Sequence, residues 1–387
     1  MAQPLTQTEM DEGLFVGRVW RPDADGPSLV VLRDGALHDI TSAETPTMSA
    51  LLERGDAADY ARSAKGQAIG SLADVAANAL PGRRDAALPH LLAPCDLQAV
   101  KACGVTFAQS MMERVIEEHA RGAPERAAAI RADIGSIIGH DLRALKPGSE
   151  DAARVKALLI EKGVWSQYLE VGIGPDAEVF TKGQPMSQAG TGAAVGLHPI
   201  STWNNPEPEV VVVANSRGEI VGATLGNDVN LRDVEGRSAL LLGKAKDNNA
   251  SSAIGPFIRL LDESFTIDHV RNAELMLTVE GTDGFKLVGQ SSMNKISRDP
   301  LDLVAQAAGR HHQYPDGFVL YLGTLFAPTQ DRDAPGKGFT HHLGDTVTIR
   351  AEGLGNLLNT VGLSTEIAPW TFGISALMKN LAGRGLL

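Results

Sequence analysis

The chain has 387 residues, 43% hydrophobic and 21% charged, enough to bury a core large enough for one main domain and a smaller one. Its formal charge of −12 argues against nucleic acid or an anionic membrane as a partner. Cys95 and Cys103 are the only cysteines, which excludes a disulfide framework, and their spacing excludes CxxC metal or redox chemistry.

The opening Met1-Ala2-Gln3-Pro4-Leu5-Thr6 lacks a basic n-region and an apolar h-region, and no apolar run approaches a membrane span, so a cytoplasmic protein is expected. Residues 14–20, 28–33 and 36–40 read as short strands, with Arg33-Asp34-Gly35 as a hairpin turn between the last two. Helical patterns follow at 48–53 and 69–79. Residues 1–95 are read as a small N-terminal domain, with 88–94 leading into a larger domain over 96–387. Residues 110–162 form a polar helical block. Met111, Val115, Ile116 and His119 recur at helical spacing until Gly122, and Ser149 is placed to cap a helix over 150–162. From Trp165 onward the pattern turns to strands at 210–215, 219–225, 274–280, 285–289, 317–323 and 345–351. Turn clusters at 215–218 and 281–284 join consecutive strands over short spans, which predicts antiparallel pairing. The whole predicts a mixed, mostly β architecture with outer helices, not a doubly wound α/β fold. Near the end, Trp370, Ile374, Leu377 or Met378, and Leu381 form an apolar stripe, read as a helix docked on its own domain, an oligomer contact being the alternative.

The densest chemistry is Asn204-Asn205-Pro206-Glu207-Pro208-Glu209, followed by the apolar run 210–213. In a strand, residues i and i+2 share a face, so Glu207 and Glu209 aim at one place. Two carboxylates sharing a site repel unless a cation lies between them, and a hard divalent cation on oxygen ligands resolves the conflict. Gly226-Asn227-Asp228 after the next strand supplies a third oxygen. A Mg²⁺ or Mn²⁺ site of Glu207, Glu209 and Asp228 is therefore expected; solvated glutamates at a strand end are the alternative. Lys246, in the polar stretch 242–256, fits a cation that binds a carboxylate or steadies an enolate, against a solvated loop lysine. Gly323-Thr324 at a strand end can offer backbone N–H groups and a hydroxyl to a carboxylate. Glu113 and Glu117, one helical turn apart, suit either a general base on a mobile lid or a solvated face. Lys182 is a candidate to reach the site, a surface lysine being the alternative. The pairs His341-His342 and His311-His312 are poorly placed to hold one ion, because strand neighbours point to opposite faces. No GxSxG elbow, P-loop or strand-helix GxGxxG is present.

Taken in order, Phe180-Thr181-Lys182, Glu207-Pro208-Glu209, Gly226-Asn227-Asp228-Val229-Asn230-Leu231-Arg232-Asp233, Lys246 ahead of Gly255-Pro256, Gly323-Thr324, Leu343-Gly344-Asp345 and Gly353-Leu354-Gly355 resemble the fumarylacetoacetate hydrolase superfamily. The resemblance implies an α+β fold, with a mixed, mostly β catalytic domain behind a smaller N-terminal α+β domain. It also implies Mg²⁺, Mn²⁺ or Ca²⁺ on the E-x-E pair and the later aspartate, and substrate contact by Lys246. Segments 203–209, 243–249 and 324–332 resemble more closely the long members of sugar-acid catabolism, which dehydrate 2-keto-3-deoxy-D-xylonate. The hydrolases' lid motif NY-x-x-H-x-x-E is matched here by residues 106–113. Ser110 stands in the histidine's place while Glu113 is kept, which weakens a hydrolase reading. The expected activity is metal-dependent dehydration of a 2-keto-3-deoxypentonate to 2,5-dioxopentanoate, with Mg²⁺ as cofactor and Mn²⁺ as its substitute. The resemblance implies Glu113 and Lys246 as catalytic residues and Thr324, Lys182 and Ser110 as substrate-binding residues. The expected partner is a small anionic 2-keto acid, and the expected assembly a homodimer or homotetramer. A hydrolase or decarboxylase of a 2,4-diketo acid, and a sugar-acid binding protein without turnover, are the alternatives.

Overall fold

The computed structural model describes residues 3–80, 82–121, 145–161, 163 and 165–387. Gly122, and the part of the helical block over 122–144, lie outside the described residues. Sixteen strands occur among the described residues. The first six are β1 (Phe15–Arg21), β2 (Gly26–Arg33), β3 (Ala36–Asp39), β4 (Gln67–Ser71), β5 (His90–Leu91) and β6 (Ala99–Gly104). Then come β7 (Glu178–Gly183), β8 (Ala194–Leu197), β9 (Pro208–Ala214), β10 (Ile220–Asp228) and β11 (Ser252–Leu260). The last five are β12 (Glu274–Glu280), β13 (Lys286–Ser292), β14 (Phe318–Tyr321), β15 (Thr346–Ala351) and β16 (Gly355–Leu363).

Eleven strands form one sheet in the order β4-β3-β2-β1-β11-β10-β9-β14-β6-β7, with β5 against β1; the other five form a second sheet, β13-β12-β15-β16-β8. The predicted turns hold. Asp34 and Gly35 both take positive φ between antiparallel β2 and β3, as a tight hairpin requires. Clusters 215–218 and 281–284 join the antiparallel pairs β9–β10 and β12–β13. The first ninety-five residues share the large sheet with the rest through the β1–β11 pairing.

Strand β9 shows why an unbroken valine run folds here. Val210 and Val212 pack into the core between the sheets with Leu275, Leu277, Ile349 and Leu357. Val211 and Val213 pack on the opposite face with Val319, Tyr321, Met48 and Leu51. A strand covered on both faces has no use for alternating polarity.

Three local expectations change. The helix read at 69–79 is shorter, Leu72–Ala77, because residues 67–71 pair with β3 as β4; Ser71 then caps the helix by accepting the Asp74 N–H. The polar stretch 242–256 holds two elements: Leu242–Lys246 is a short helix, and the Gly255-Pro256 dipeptide runs through the fully buried strand β11. The β10–β11 register shifts next to this dipeptide, so the missing proline N–H falls at a break in the ladder. The C-terminal helix is Ile374–Gly383, and only Leu377 and Leu381 of its stripe are buried, while Trp370, Ile374 and Met378 stay exposed. Asn380 and Arg384 anchor it by donating to the carbonyls of Ala24, Asp25 and Pro27.

Candidate active site

The carboxylates meet because of strand register. On antiparallel β9 and β10, Glu209 lies opposite Gly226, and the Asp228 N–H donates to the Glu207 carbonyl. Residues 207, 209, 226 and 228 therefore share one face. Gly226 leaves that face open. A Cβ there would collide with the Tyr321 ring and sit 2.6 Å from a Val211 methyl. One oxygen from each of Glu207, Glu209 and Asp228 lies within 4.8 Å of the other two, and all three residues are buried. Oxygens that bind one hard cation at 2.0–2.6 Å stand at most about 5 Å apart, so the spacing fits such an ion.

Each carboxylate has its own support. Glu209, 2% exposed, accepts the Gly323 N–H at 2.7 Å. Gly323 takes φ +88° at the exit of β14, and Thr106 packs where its side chain would be. Glu207 accepts from Asn230 at 2.9 Å and pairs with Arg114 at 2.9 Å. Asp228 pairs with Lys182 at 2.8 Å and with Lys246 at 3.2 Å. Burial alone would raise the Asp228 carboxyl, but the two lysines hold it below the usual range. Glu209 has no ion pair among the described residues, and burial together with Asp228 and Glu207 pushes its carboxyl well up. Lys246 also reaches Glu207 at 3.4 Å and Glu235 at 3.1 Å.

These groups surround a cavity of about 60 Å³, whose wall includes Glu178, Phe180, Tyr168, Ser238 and Thr324 as well as Lys246 and the three carboxylates. Glu207, Glu209, Asp228, Glu178 and Glu235 face only Arg114, Lys246 and, behind Asp228, Lys182 as cations. With all of these groups ionised, the excess among the described residues is two negative charges, the charge of one divalent ion.

Glu207, Glu209, Asp228, Lys246 and Thr324 thus converge on one cavity. Lys182 stands behind its wall, 0% exposed, tied to Asp228 and donating to the Lys246 carbonyl at 3.0 Å. Glu113 lies in an adjoining crevice with Asn205, Asn230 and Phe326, and pairs with Arg232 at 3.5 Å. That guanidinium stacks over Trp203 at 4.2 Å. Ser110 is on the helix Ala108–Ala120, but its side chain, like that of Glu117, lies outside the described ones. His341 serves the structure: it pairs with buried Asp345 at 3.0 Å, away from the cavity. Sequence reasoning missed Arg114, Glu178 and Glu235. Arg114 follows Glu113 in the helix Ala108–Ala120, and Glu178 lies two residues before Phe180-Thr181-Lys182; only the tertiary packing makes either one a wall of this cavity.

Residues 173–362 match the family model described as fumarylacetoacetate (FAA) hydrolase C-terminal. A probable 2-keto-3-deoxyxylonate dehydratase of Haloferax volcanii is 32% identical over 201 residues, 52% of this chain and 65% of the relative, so the match spans less than two thirds of that protein. The 2-dehydro-3-deoxy-D-arabinonate dehydratase of Saccharolobus solfataricus is 29% identical over 227 residues, 59% of this chain and 70% of the relative. Among solved structures, the apo form of 2-keto-3-deoxy-D-arabinonate dehydratase superposes with a TM-score of 0.62 at 20% identity, covering 90% of this chain and 99% of that one. A 2-keto-3-deoxy-D-arabinonate dehydratase complexed with magnesium and 2,5-dioxopentanoate gives 0.61 at 20% identity, with coverage of 90% and 99%. The solved structures show the shared fold, and residues 173–362 carry the match to the fumarylacetoacetate hydrolase family.

Proposed function

We propose that the chain is a metal-dependent hydro-lyase that dehydrates a 2-keto-3-deoxypentonate to 2,5-dioxopentanoate. One observation carries the reading: three buried carboxylate oxygens within 4.8 Å of one another, with the Lys246 ammonium 3.2 Å from Asp228. The names of the Haloferax and Saccharolobus relatives support the substrate class.

Glu207, Glu209 and Asp228 would hold Mg²⁺, or Mn²⁺ in its place. When bound, such an ion supplies Lewis acidity toward the carboxylate and 2-oxo oxygens of a keto acid. Lys246 adds a fixed positive charge beside the charge that develops when C3 loses a proton. The Thr324 hydroxyl already accepts the Phe326 N–H at 3.1 Å, so its own proton is directed to an acceptor, which suits a substrate carboxylate. Lys182 orients Asp228 from behind, and Arg114 bridges Glu207 and Glu235 at 2.9 and 2.8 Å. Ser110 is kept as a substrate contact on its place in the lid motif. Glu113 we assign to holding Arg232. The division into 1–95 and 96–387, a homodimeric or homotetrameric assembly and a cytoplasmic location belong to the same proposal.

The test is a product analysis. Both C4 epimers of 2-keto-3-deoxypentonate, and separately a 2,4-diketo acid, are incubated with the protein and Mg²⁺ and followed by ¹³C NMR. Dehydration yields one aldehyde-bearing product. Cleavage of the diketo acid into two acids would point to a hydrolase, and tight binding without turnover of either would point to a sugar-acid binding protein.

A further inference from the structure

Glu178 lines the same cavity as the carboxylate cluster, from the far side of the sheet order. It opens β7, at the register position opposite Gly104 of β6. The glycine is needed there, because the Glu178 carboxylate occupies the space a Cβ at 104 would fill. Every other carboxylate of the cavity wall is tied down: Glu207 by Arg114 and Asn230, Glu209 by the Gly323 N–H, Asp228 by two lysines, Glu235 by Arg114 and Lys246. Among the described residues, the Glu178 carboxylate has no hydrogen bond or ion pair. A half-buried acid with no fixed partner is free to take and give a proton at little cost in lost contacts.

We infer that Glu178 is the acid/base residue of the cavity, moving the protons of the dehydration while the ion-paired carboxylates keep their charge. This inference rests on the dehydratase reading. The carboxylate takes a proton from C3; the C4–O bond breaks as C3=C4 forms, and the same proton leaves with the hydroxyl as water. The carboxylate then takes a proton from C5 and returns it to C3, which moves the double bond to C4=C5. The resulting enol loses its hydroxyl proton and gains one at C4 through solvent, giving the aldehyde. One water leaves, no electrons are exchanged, and Glu178 ends as it began. Glu113, paired with Arg232 in the adjoining crevice, is then a positioning residue.

The experiment compares the full-length wild type with Glu178→Gln, Glu178→Asp and Glu113→Gln under saturating Mg²⁺. It reads product formation, deuterium exchange at C3 by NMR, and Mn²⁺ affinity. Glu178→Gln should lose about 10²–10⁴-fold in kcat and lose C3 exchange in parallel, with Mn²⁺ affinity within a few-fold of wild type. Glu178→Asp, which keeps the acid but withdraws it, should recover part of the rate, and Glu113→Gln should keep C3 exchange. Wild-type exchange in Glu178→Gln, or loss of exchange in Glu113→Gln alone, would overturn the assignment and leave the dehydratase reading standing. A wild type that converts neither pentonate epimer would remove the reading, and the assignment with it.

Discussion

Glu209 and Glu178 are two carboxylates of one sheet, each facing a glycine across an antiparallel ladder, Gly226 in one case and Gly104 in the other. Their surroundings differ. Glu209 is buried to 2% exposure, accepts a backbone N–H and shares its space with two more acids. Glu178 is only partly buried and keeps its carboxylate clear of partners among the described residues. The glycines differ in the same way. A side chain at 226 meets the Tyr321 ring and Val211, rigid core groups, whereas one at 104 meets only the end of the Glu178 side chain. The same backbone device therefore serves opposite ends. On the proposed reading, the crowded and pinned acid stores negative charge for a cation, and the loose one is free to exchange protons.

The largest effect is expected on the pinned side. Glu209→Gln and Asp228→Asn each remove a charge at nearly constant volume, and each should abolish most metal-dependent turnover while far-UV circular dichroism stays that of wild type. Turnover near wild type in both would break the division between pinned and loose acids. Lys246→Met comes next. One electrostatic contact to a developing enolate is worth on the order of 3 kcal/mol, so steady-state kcat should fall about a hundredfold. The two glycines then separate stability from catalysis. Gly226→Ala overpacks the core against Tyr321 and should cost about 1–3 kcal/mol of stability in urea melts. Gly104→Ala should unfold at nearly the wild-type midpoint, since a flexible side chain can give way, yet it displaces Glu178 and should lower kcat roughly tenfold, about 1.4 kcal/mol. Equal losses of stability at both glycines would show that the two ladders are not used differently.

Much of this was legible in the residues. The hairpin at Asp34-Gly35, the turns at 215–218 and 281–284, and the apolar β9 follow from local rules, and the i, i+2 pair Glu207 and Glu209 with Asp228 one hairpin away follows from strand periodicity. What was not legible depends on distant neighbours. Glu178 reads as an ordinary strand acid until β7 is known to lie beside β6, whose Gly104 gives it room. Arg114 and Glu235 join the cluster only because the helix Ala108–Ala120 brings the Arg114 guanidinium between Glu207 and Glu235. Lys182 has the composition of a ligand-reaching residue, but its strand turns it behind Asp228, where it orients a carboxylate. The short helix that carries Lys246 was not legible, because Gly243 weakens a segment only five residues long that is held by tertiary contacts.

The claim on which all of this rests is that Glu207, Glu209 and Asp228 hold one divalent cation. Mn²⁺ titration followed by electron paramagnetic resonance tests it without reference to any substrate. The account predicts one tight Mn²⁺ per chain in the wild type, displaced by Mg²⁺, and weakened at least tenfold, about 1.4 kcal/mol, in each of Glu207→Gln, Glu209→Gln and Asp228→Asn. Wild-type Mn²⁺ affinity in two of those three variants would contradict it.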